Sequence, residues 1–208
     1  MEVKPISKQA LLRLPVYLNC LKEIEGKAEY ISSPAIAERL KLNEVQVRKD
    51  LAAVSRSAGS PKKGFAVQGL IDDIKEYLGY KNTTDAILVG AGQLGRALLS
   101  YRGFREYGLK ISAAFDIDTK NCPENVMNIS ELPHICKRLG VRMGIITVPA
   151  GAAQSVCDLM VENGICAIWN FAPVSLRVPE NILVQNENMA SGLAVLSAHL
   201  RERLRSTR

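Results

Sequence analysis

The sequence predicts an α/β protein in which a separate, mostly helical N-terminal domain (residues 1–80) precedes a domain built on a parallel sheet (residues 81–208). Three observations carry this. From Ser7 to about Leu78 the apolar residues recur at helical spacing. From Thr84 onward short β-rich runs at 86–89, 111–115, 144–148, 167–171 and 182–184 alternate with helical stretches, which indicates βαβ units. The pattern Gly90-x-Gly92-x-x-Gly95 directly follows the first of those runs. The boundary is expected near residues 79–83.

In the first domain, Leu11, Leu14, Leu18 and Leu21 step by three and four and so share one helical face. Pro15 is expected to kink this helix or to mark a start near Arg13. Ser33 is placed to cap a second helix beginning at Pro34, because proline lacks only a donor that is unpaired there. Ile36, Ala37 and Leu40 form its inner face. Leu42-Asn43 then makes a tight turn, with Asn43 capping a third helix anchored by Val45, Val47, Leu51 and Val54.

That third helix keeps Gln46, Arg48 and Lys49 on its surface. A helix presenting these residues near its N-terminal half suits the major groove of double-stranded DNA. Arginine pairs with guanine O6/N7, glutamine with adenine, and lysine usually finds phosphate. The competing reading is a core hairpin with a solvated charged face. Gly59-Ser60-Pro61-Lys62-Lys63-Gly64-Phe65-Ala66-Val67 then supplies a Gly/Pro turn carrying two lysines and a short β-prone run. That is what the wing of a winged helix needs, and an ordinary basic loop is the alternative. Candidate DNA contacts are therefore Ser33, Gln46, Arg48, Lys49, Lys62 and Lys63.

Charge agrees with this placement. The net charge is +6. Between residues 31 and 64, seven basic residues (Arg39, Lys41, Arg48, Lys49, Arg56, Lys62, Lys63) face three acidic ones (Glu38, Glu44, Asp50). Hydrophobic residues at 47% and charged residues at 23% are the balance of a folded chain. No apolar run is long enough to cross a bilayer, and Met1-Glu2-Val3-Lys4-Pro5 lacks the core of a signal peptide, so a cytoplasmic protein without a membrane partner is expected. Cys20, Cys122, Cys136, Cys157 and Cys166 are scattered, with no Cys-x-x-Cys pair and no histidine at ligand spacing. They are read as small apolar residues in a reducing compartment, not as a metal site.

In the second domain the glycines open an amphipathic helix (Leu94, Ala97, Leu98) directly after a buried-type strand, the context in which the pattern signifies a Rossmann dinucleotide cradle. Gly90 allows the tight turn, Gly92 lets the backbone approach the pyrophosphate, and Gly95 packs helix on strand, with Ala91, Gln93 and Leu94 completing the loop. The next strand ends at Asp116, about 20 residues beyond Gly95. A carboxylate there accepts from ribose hydroxyls and repels a 2′-phosphate, which favours NAD(H); Asp118 is a nearby candidate. Thr147-Val148-Pro149 and Asn170-Phe171-Ala172-Pro173 end later strands and are expected to line the nicotinamide side, with simple strand-end packing as the alternative.

Neither His134 nor His199 falls at a strand's carboxyl end, so no acid/base group for hydride transfer is evident and no enzyme is expected. A small NAD-dependent oxidoreductase and a regulator of another nucleotide, such as a CoA-type ligand, are the alternatives. The tail over residues 189–206 carries Leu193, Leu196, Leu200 and Leu204 at three- and four-residue steps. It forms an amphipathic helix that packs on its own domain or on a partner.

The whole chain resembles the bacterial redox-sensing repressor family called Rex. The resemblance is carried by Arg13-Leu14-Pro15-Val16-Tyr17-Leu18, Ser32-Ser33, Val47-Arg48-Lys49-Asp50-Leu51, Val89-Gly90-Ala91-Gly92-Gln93-Leu94-Gly95, Val148-Pro149-Ala150 and Asn170-Phe171-Ala172-Pro173. It implies a homodimer whose C-terminal helices are exchanged, operator binding permitted by NAD⁺, and release of DNA by NADH. It also implies that a residue near the last strand couples the nicotinamide region to Arg13 and Tyr101, which adds Tyr101 to the cofactor residues. The family usually has an aspartate there, where this chain has Asn188; it also departs at Ala52-Ala53-Val54-Ser55, where an aromatic and a glycine-rich wing usually follow. A weaker redox response and a shifted operator preference are therefore expected.

Overall fold

The computed structural model describes residues 6–57, 59–60 and 63–206. The chain folds as two compact units. One runs to Asn82 and includes Glu106–Gly108; the other holds Thr83–Arg105 and the chain from Leu109 onward.

The first unit opens with α1 (Lys8–Lys22), whose N-cap Ser7 accepts a hydrogen bond from the Ala10 amide. The helix runs through Pro15 without ending there, and no start near Arg13 is found. Leu14, Tyr17, Leu18 and Leu21 are buried around the proline, and burial of each large side chain contributes roughly 1.5–3 kcal/mol, enough to offset the lost helical hydrogen bond. Leu11 is exposed, so the buried face is rotated from the expected leucine stripe toward Tyr17.

Strand β1 (Tyr30–Ile31) precedes α2 (Ser33–Leu40). The cap of α2 is Ser32, which accepts from the Ala35 amide at 3.3 Å; Ser33 is the first helical residue, and its side chain is buried. The expectation of a Ser33 cap is thus off by one. Pro34 sits one position further in, where the amide has no intrahelical partner either. Lys41, with φ 53°, closes α2 in the left-handed region, and Asn43 caps α3 (Glu44–Val54) by accepting from the Gln46 amide. Val47, Leu51 and Val54 are buried, but Val45 is exposed. Residues two apart on a helix point to nearly opposite sides, so Val45 and Val47 cannot both be anchors.

Beyond α3, Ser60 and Gly64 exchange two backbone hydrogen bonds at 2.8 Å and close a tight tip. Strand β2 (Phe65–Ala66) then pairs antiparallel with β1 and leads into α4 (Val67–Tyr77). Gly64 has φ +79°, and a Cβ there would strike the Ile31 carbonyl, so the tip needs glycine. Lys62 lies outside the described residues.

The second unit is a six-stranded, all-parallel sheet of order β5-β4-β3-β6-β7-β8. Its strands are β3 (Thr84–Val89), β4 (Leu109–Asp116), β5 (Val126–Asn128), β6 (Met143–Ile146), β7 (Ala167–Asn170) and β8 (Leu183–Asn186). The helices are α5 (Gln93–Ser100), α6 (Leu132–Leu139), α7 (Ala150–Glu162) and α8 (Met189–Ser206). The order reverses direction between β3 and β6, the switch point at which doubly wound sheets open a crevice beyond their carboxyl ends. Ala86, Ile87, Leu88 and Val89 are all buried, the continuous apolar run expected of a strand covered on both faces. Strand β5 has no counterpart among the runs expected from sequence, and β6 ends at Ile146, two residues before the expected limit.

Candidate cofactor cleft and nucleic-acid interface

The cleft is built from the carboxyl ends of β3, β4, β6 and β7. Gly90 leaves β3 with φ +105°, and a Cβ on it would lie 2.8 Å from the Thr147 carbonyl carbon. Its amide donates to Phe115 O at 2.8 Å, and its carbonyl accepts from Thr147 Oγ1 at 2.6 Å. The turn is thereby tied to both neighbouring strand ends. At Gly95 a Cβ would run into the Gly90 carbonyl, so glycine there sets how closely α5 packs on the turn. Gly92 differs from both. A Cβ on it meets nothing within 4 Å, and neither α5 nor α7 has a side-chain hydrogen bond at its N-cap. Open space beside uncapped helix amides is what a pyrophosphate requires.

Asp116 ends β4 as expected. Its Oδ2 accepts from the Ala91 amide at 2.6 Å and its Oδ1 from the Asp118 amide at 3.0 Å. These two bonds leave acceptor capacity for ribose hydroxyls. Asp118 instead accepts from the Lys120 amide. Arg96, which sequence reasoning passed over, donates to Ala91 O at 2.8 Å and Asn121 O at 2.5 Å, fastening the glycine turn to the loop after β4. No local pattern marks it, because both of its partners are backbone carbonyls.

At the end of β7 the side chain of Asn170 is fully buried and fully used. Its Nδ2 donates to Val174 O at 2.9 Å and Asn186 Oδ1 at 2.8 Å, with a longer contact to Ala172 O, while its Oδ1 accepts from the Ala172 amide. Asn170 therefore shapes the Phe171-Ala172-Pro173 turn. Tyr101 lies at the far end of α5, exposed. A ladder of ring contacts runs from it edge-on to Phe104 (4.9 Å), edge-on to Trp169 (5.8 Å) and at a tilt to Phe171 (4.8 Å). Gly90, Ala91, Gly95, Asp116 and Thr147 are thus brought together, whereas the rings that start at Tyr101 lead to Phe171 at the end of β7. Among the described residues no His/Cys/Asp/Glu group could hold a metal ion.

In the first unit, α2 and α3 form a helix-turn-helix. Arg48, Lys49 and Gln46 are exposed on α3, and Val45 shares that exposed face. Ser32, Ser33, Pro34, Glu44, Arg48 and Lys63 line a groove between the helices and the wing. Lys63 lies over the Tyr30 ring at 5.3 Å. Beneath α3 is a polar cluster that sequence reasoning missed. Arg13 donates to both oxygens of Asp50 (Nε–Oδ2 2.8 Å, Nη2–Oδ1 3.1 Å), and Tyr17 donates to Oδ2 at 2.8 Å. Asp50 is buried; its hydrogen bond raises the pKa of Arg13, while burial first and Asp50 second push Tyr17 up to about 12.

A family model described as "CoA binding domain" matches residues 81–174, and one described as "Putative DNA-binding protein N-terminus" matches residues 5–52. The chain is 43% identical over 190 residues to the redox-sensing transcriptional repressor Rex of Treponema denticola, covering 88% of this chain and 90% of the relative. It is 36% identical over 197 residues to the Rex repressor of Bacteroides thetaiotaomicron, covering 92% and 89%. Among solved structures, RSP in complex with β-NAD⁺ and operator DNA superposes with a TM-score of 0.87 at 30% identity, over 98% of this chain and 97% of that one. RSP in complex with β-NADH gives 0.86 at 29% identity, over 97% of each chain.

Proposed function

The chain belongs to the Rex family of redox-sensing transcriptional repressors, and on that premise we propose that it represses transcription by binding operator DNA as a homodimer that NADH releases. The observation that carries this is the presence in one chain of a helix-turn-helix with exposed Gln46, Arg48 and Lys49 and of a glycine cradle with Asp116 at its adenosine end. The cradle would hold NAD(H), with Gly92 beside the pyrophosphate, Asp116 on a ribose, and Thr147 to Pro149 and Phe171 to Pro173 toward the nicotinamide. The bound cofactor supplies a ring whose charge and shape differ between NAD⁺ and NADH.

Ser33, Arg48, Lys49, Lys62 and Lys63 are the proposed DNA contacts besides Gln46. The domain limits are placed at residues 80 and 81. The dimer is assigned to α8, exchanged between subunits, because Leu193, Leu196, Leu200 and Leu204 are all more than half exposed. No described helix is long and apolar enough to cross a membrane, and the site of action is assigned to the cytoplasm. A role without turnover is favoured because His134 lies in α6 and His199 in α8, neither at a strand end. A regulator responding to a CoA-type nucleotide is the second reading, favoured by the description of the matching family model. Asp116 weighs against it, since a phosphate on the adenosine ribose would meet that carboxylate; stronger thermal stabilisation by CoA than by NADH would establish it.

The test is retention of a labelled genomic-promoter pool by the purified protein with NAD⁺, NADH or neither. Discrete promoters retained with NAD⁺ and released by NADH are expected. An approximately 100-fold change requires about 3 kcal/mol of differential cofactor affinity between the two states. Equal retention in all three conditions would leave a DNA-binding protein without a redox switch. No retention, with NADH consumed on addition of small carbonyls, would make the chain an oxidoreductase.

A further inference from the structure

We infer that Arg13 holds the side-chain oxygen of Gln46, so that Gln46 reads guanine as a donor and does not read adenine. This rests on the DNA-binding function proposed above. The Gln46 amide lies beside the Arg13 guanidinium. With its nitrogen toward that group, donors would face donors; with its oxygen toward it, Oε1 accepts from Nη1 at 3.1 Å and from Nη2 at 2.9 Å. An amide oxygen has two lone pairs, and the two guanidinium N–H groups take both.

The guanidinium is itself held. Its Nε and Nη2 are fixed on Asp50, whose Oδ2 also accepts from Tyr17. Asp50 lies one helical turn beyond Gln46 on α3, so Arg13 spans the two side chains. The end of the guanidinium left over from the carboxylate is the end that meets the amide.

The consequence is chemical. Reading adenine in the major groove takes both ends of a glutamine amide, oxygen from N6 and nitrogen to N7. With the oxygen engaged, Gln46 presents only its two N–H donors outward. Guanine offers two adjacent acceptors, O6 and N7, and suits a pure donor, whereas the N6 amine of adenine faces it with a second donor. Gln46 is exposed in the first turn of α3, the part of a recognition helix that contacts base edges. Arg13 is a positioning residue here.

The experiment is selection of a randomised DNA duplex pool on the full-length protein, comparing wild type with Gln46→Ala, Gln46→Glu and Arg13→Lys. Gln46→Ala should abolish discrimination at one base pair per half-site, where the wild type prefers guanine over adenine by about tenfold or more. Gln46→Glu keeps an oxygen on Arg13 but turns an acceptor outward, so preference at that pair should invert from G·C to C·G. Arg13→Lys keeps a cation on Asp50 without the two-point grip, and adenine should gain several-fold. Adenine as the wild-type choice, an unchanged preference after Gln46→Glu, or no pair that depends on Gln46 would overturn the inference while leaving DNA binding intact. No sequence enriched by the wild type would overturn the DNA-binding reading and the inference with it.

Discussion

At Asp50 the N-terminal unit buries a carboxylate and satisfies it with Arg13 and Tyr17, and the titration of Tyr17 follows from that contact. Burial, and then the hydrogen bond to Asp50, raise its folded-state pKa from 10.0 to about 12. Above the unfolded value the unfolded chain loses the phenolic proton while the folded chain keeps it. Stability should therefore fall as pH rises from 10 to 12. Urea unfolding across that window should show a smaller loss for Tyr17→Phe than for wild type; equal slopes would mean that Tyr17 does not carry the effect. The cluster was not legible in the sequence, since its members are up to 37 residues apart and Asp50 reads as one more charge on a charged helix face. Asn188, singled out by resemblance, acts locally as a helix cap, where its Oδ1 accepts from the Ser191 amide at 3.2 Å at the start of α8. Aspartate caps equally well. Asn188→Asp should therefore leave α8 intact and sharpen the response of DNA retention to the NADH/NAD⁺ ratio. A ratio response identical to wild type would separate Asn188 from the switch.

The β3–turn–α5 element was the most legible part of the chain, because Gly90 and Gly95 each answer a steric demand made by the turn itself or by the adjoining strand end, while Gly92 borders open space. The structure separates those demands and makes them testable apart. Gly95→Ala places a methyl group against the Gly90 carbonyl, so α5 must move off the turn. We expect a loss of about 1–3 kcal/mol in unfolding free energy, as for other overpacked sites. Gly92→Ala meets no protein atom within 4 Å, and its φ of −69° is ordinary for alanine. That variant should unfold like wild type yet bind NADH at least tenfold more weakly, because its methyl group occupies the space assigned to pyrophosphate. Calorimetric titration beside thermal unfolding distinguishes the two; full NADH affinity in Gly92→Ala would displace the cofactor from this turn. Other elements were less legible. Strand β5 has three residues, too few for any periodicity, and is held by its register with β4. Helix α1 runs through Pro15 because burial on both sides of the proline outweighs one missing hydrogen bond.

On the scale of the whole molecule, the leucine stripe of α8 gathers four exposed apolar side chains on one helix. Its three- and four-residue spacing made the helix legible, but no sequence pattern says what covers it, and Leu193, Leu196, Leu200 and Leu204 are each at least 55% exposed in the single chain. Four such side chains on one helix suit the dimer interface proposed above, since a helix-turn-helix reads a two-fold operator with two copies. Joining two half-site contacts makes the second binding event intramolecular, and the gain in avidity is typically about 10²–10⁴-fold. Leu196→Glu combined with Leu200→Glu puts two charges into that stripe without touching the cradle or the recognition helix. Sedimentation should then show the monomer mass, and operator retention should fall by about 100-fold or more. NADH titration supplies the control, since neither substitution falls in the glycine turn of residues 90–95 or at Asp116. A double variant that still sediments as a dimer would move the interface off α8, whereas a monomer that retains operator at full strength would mean that one copy suffices for recognition.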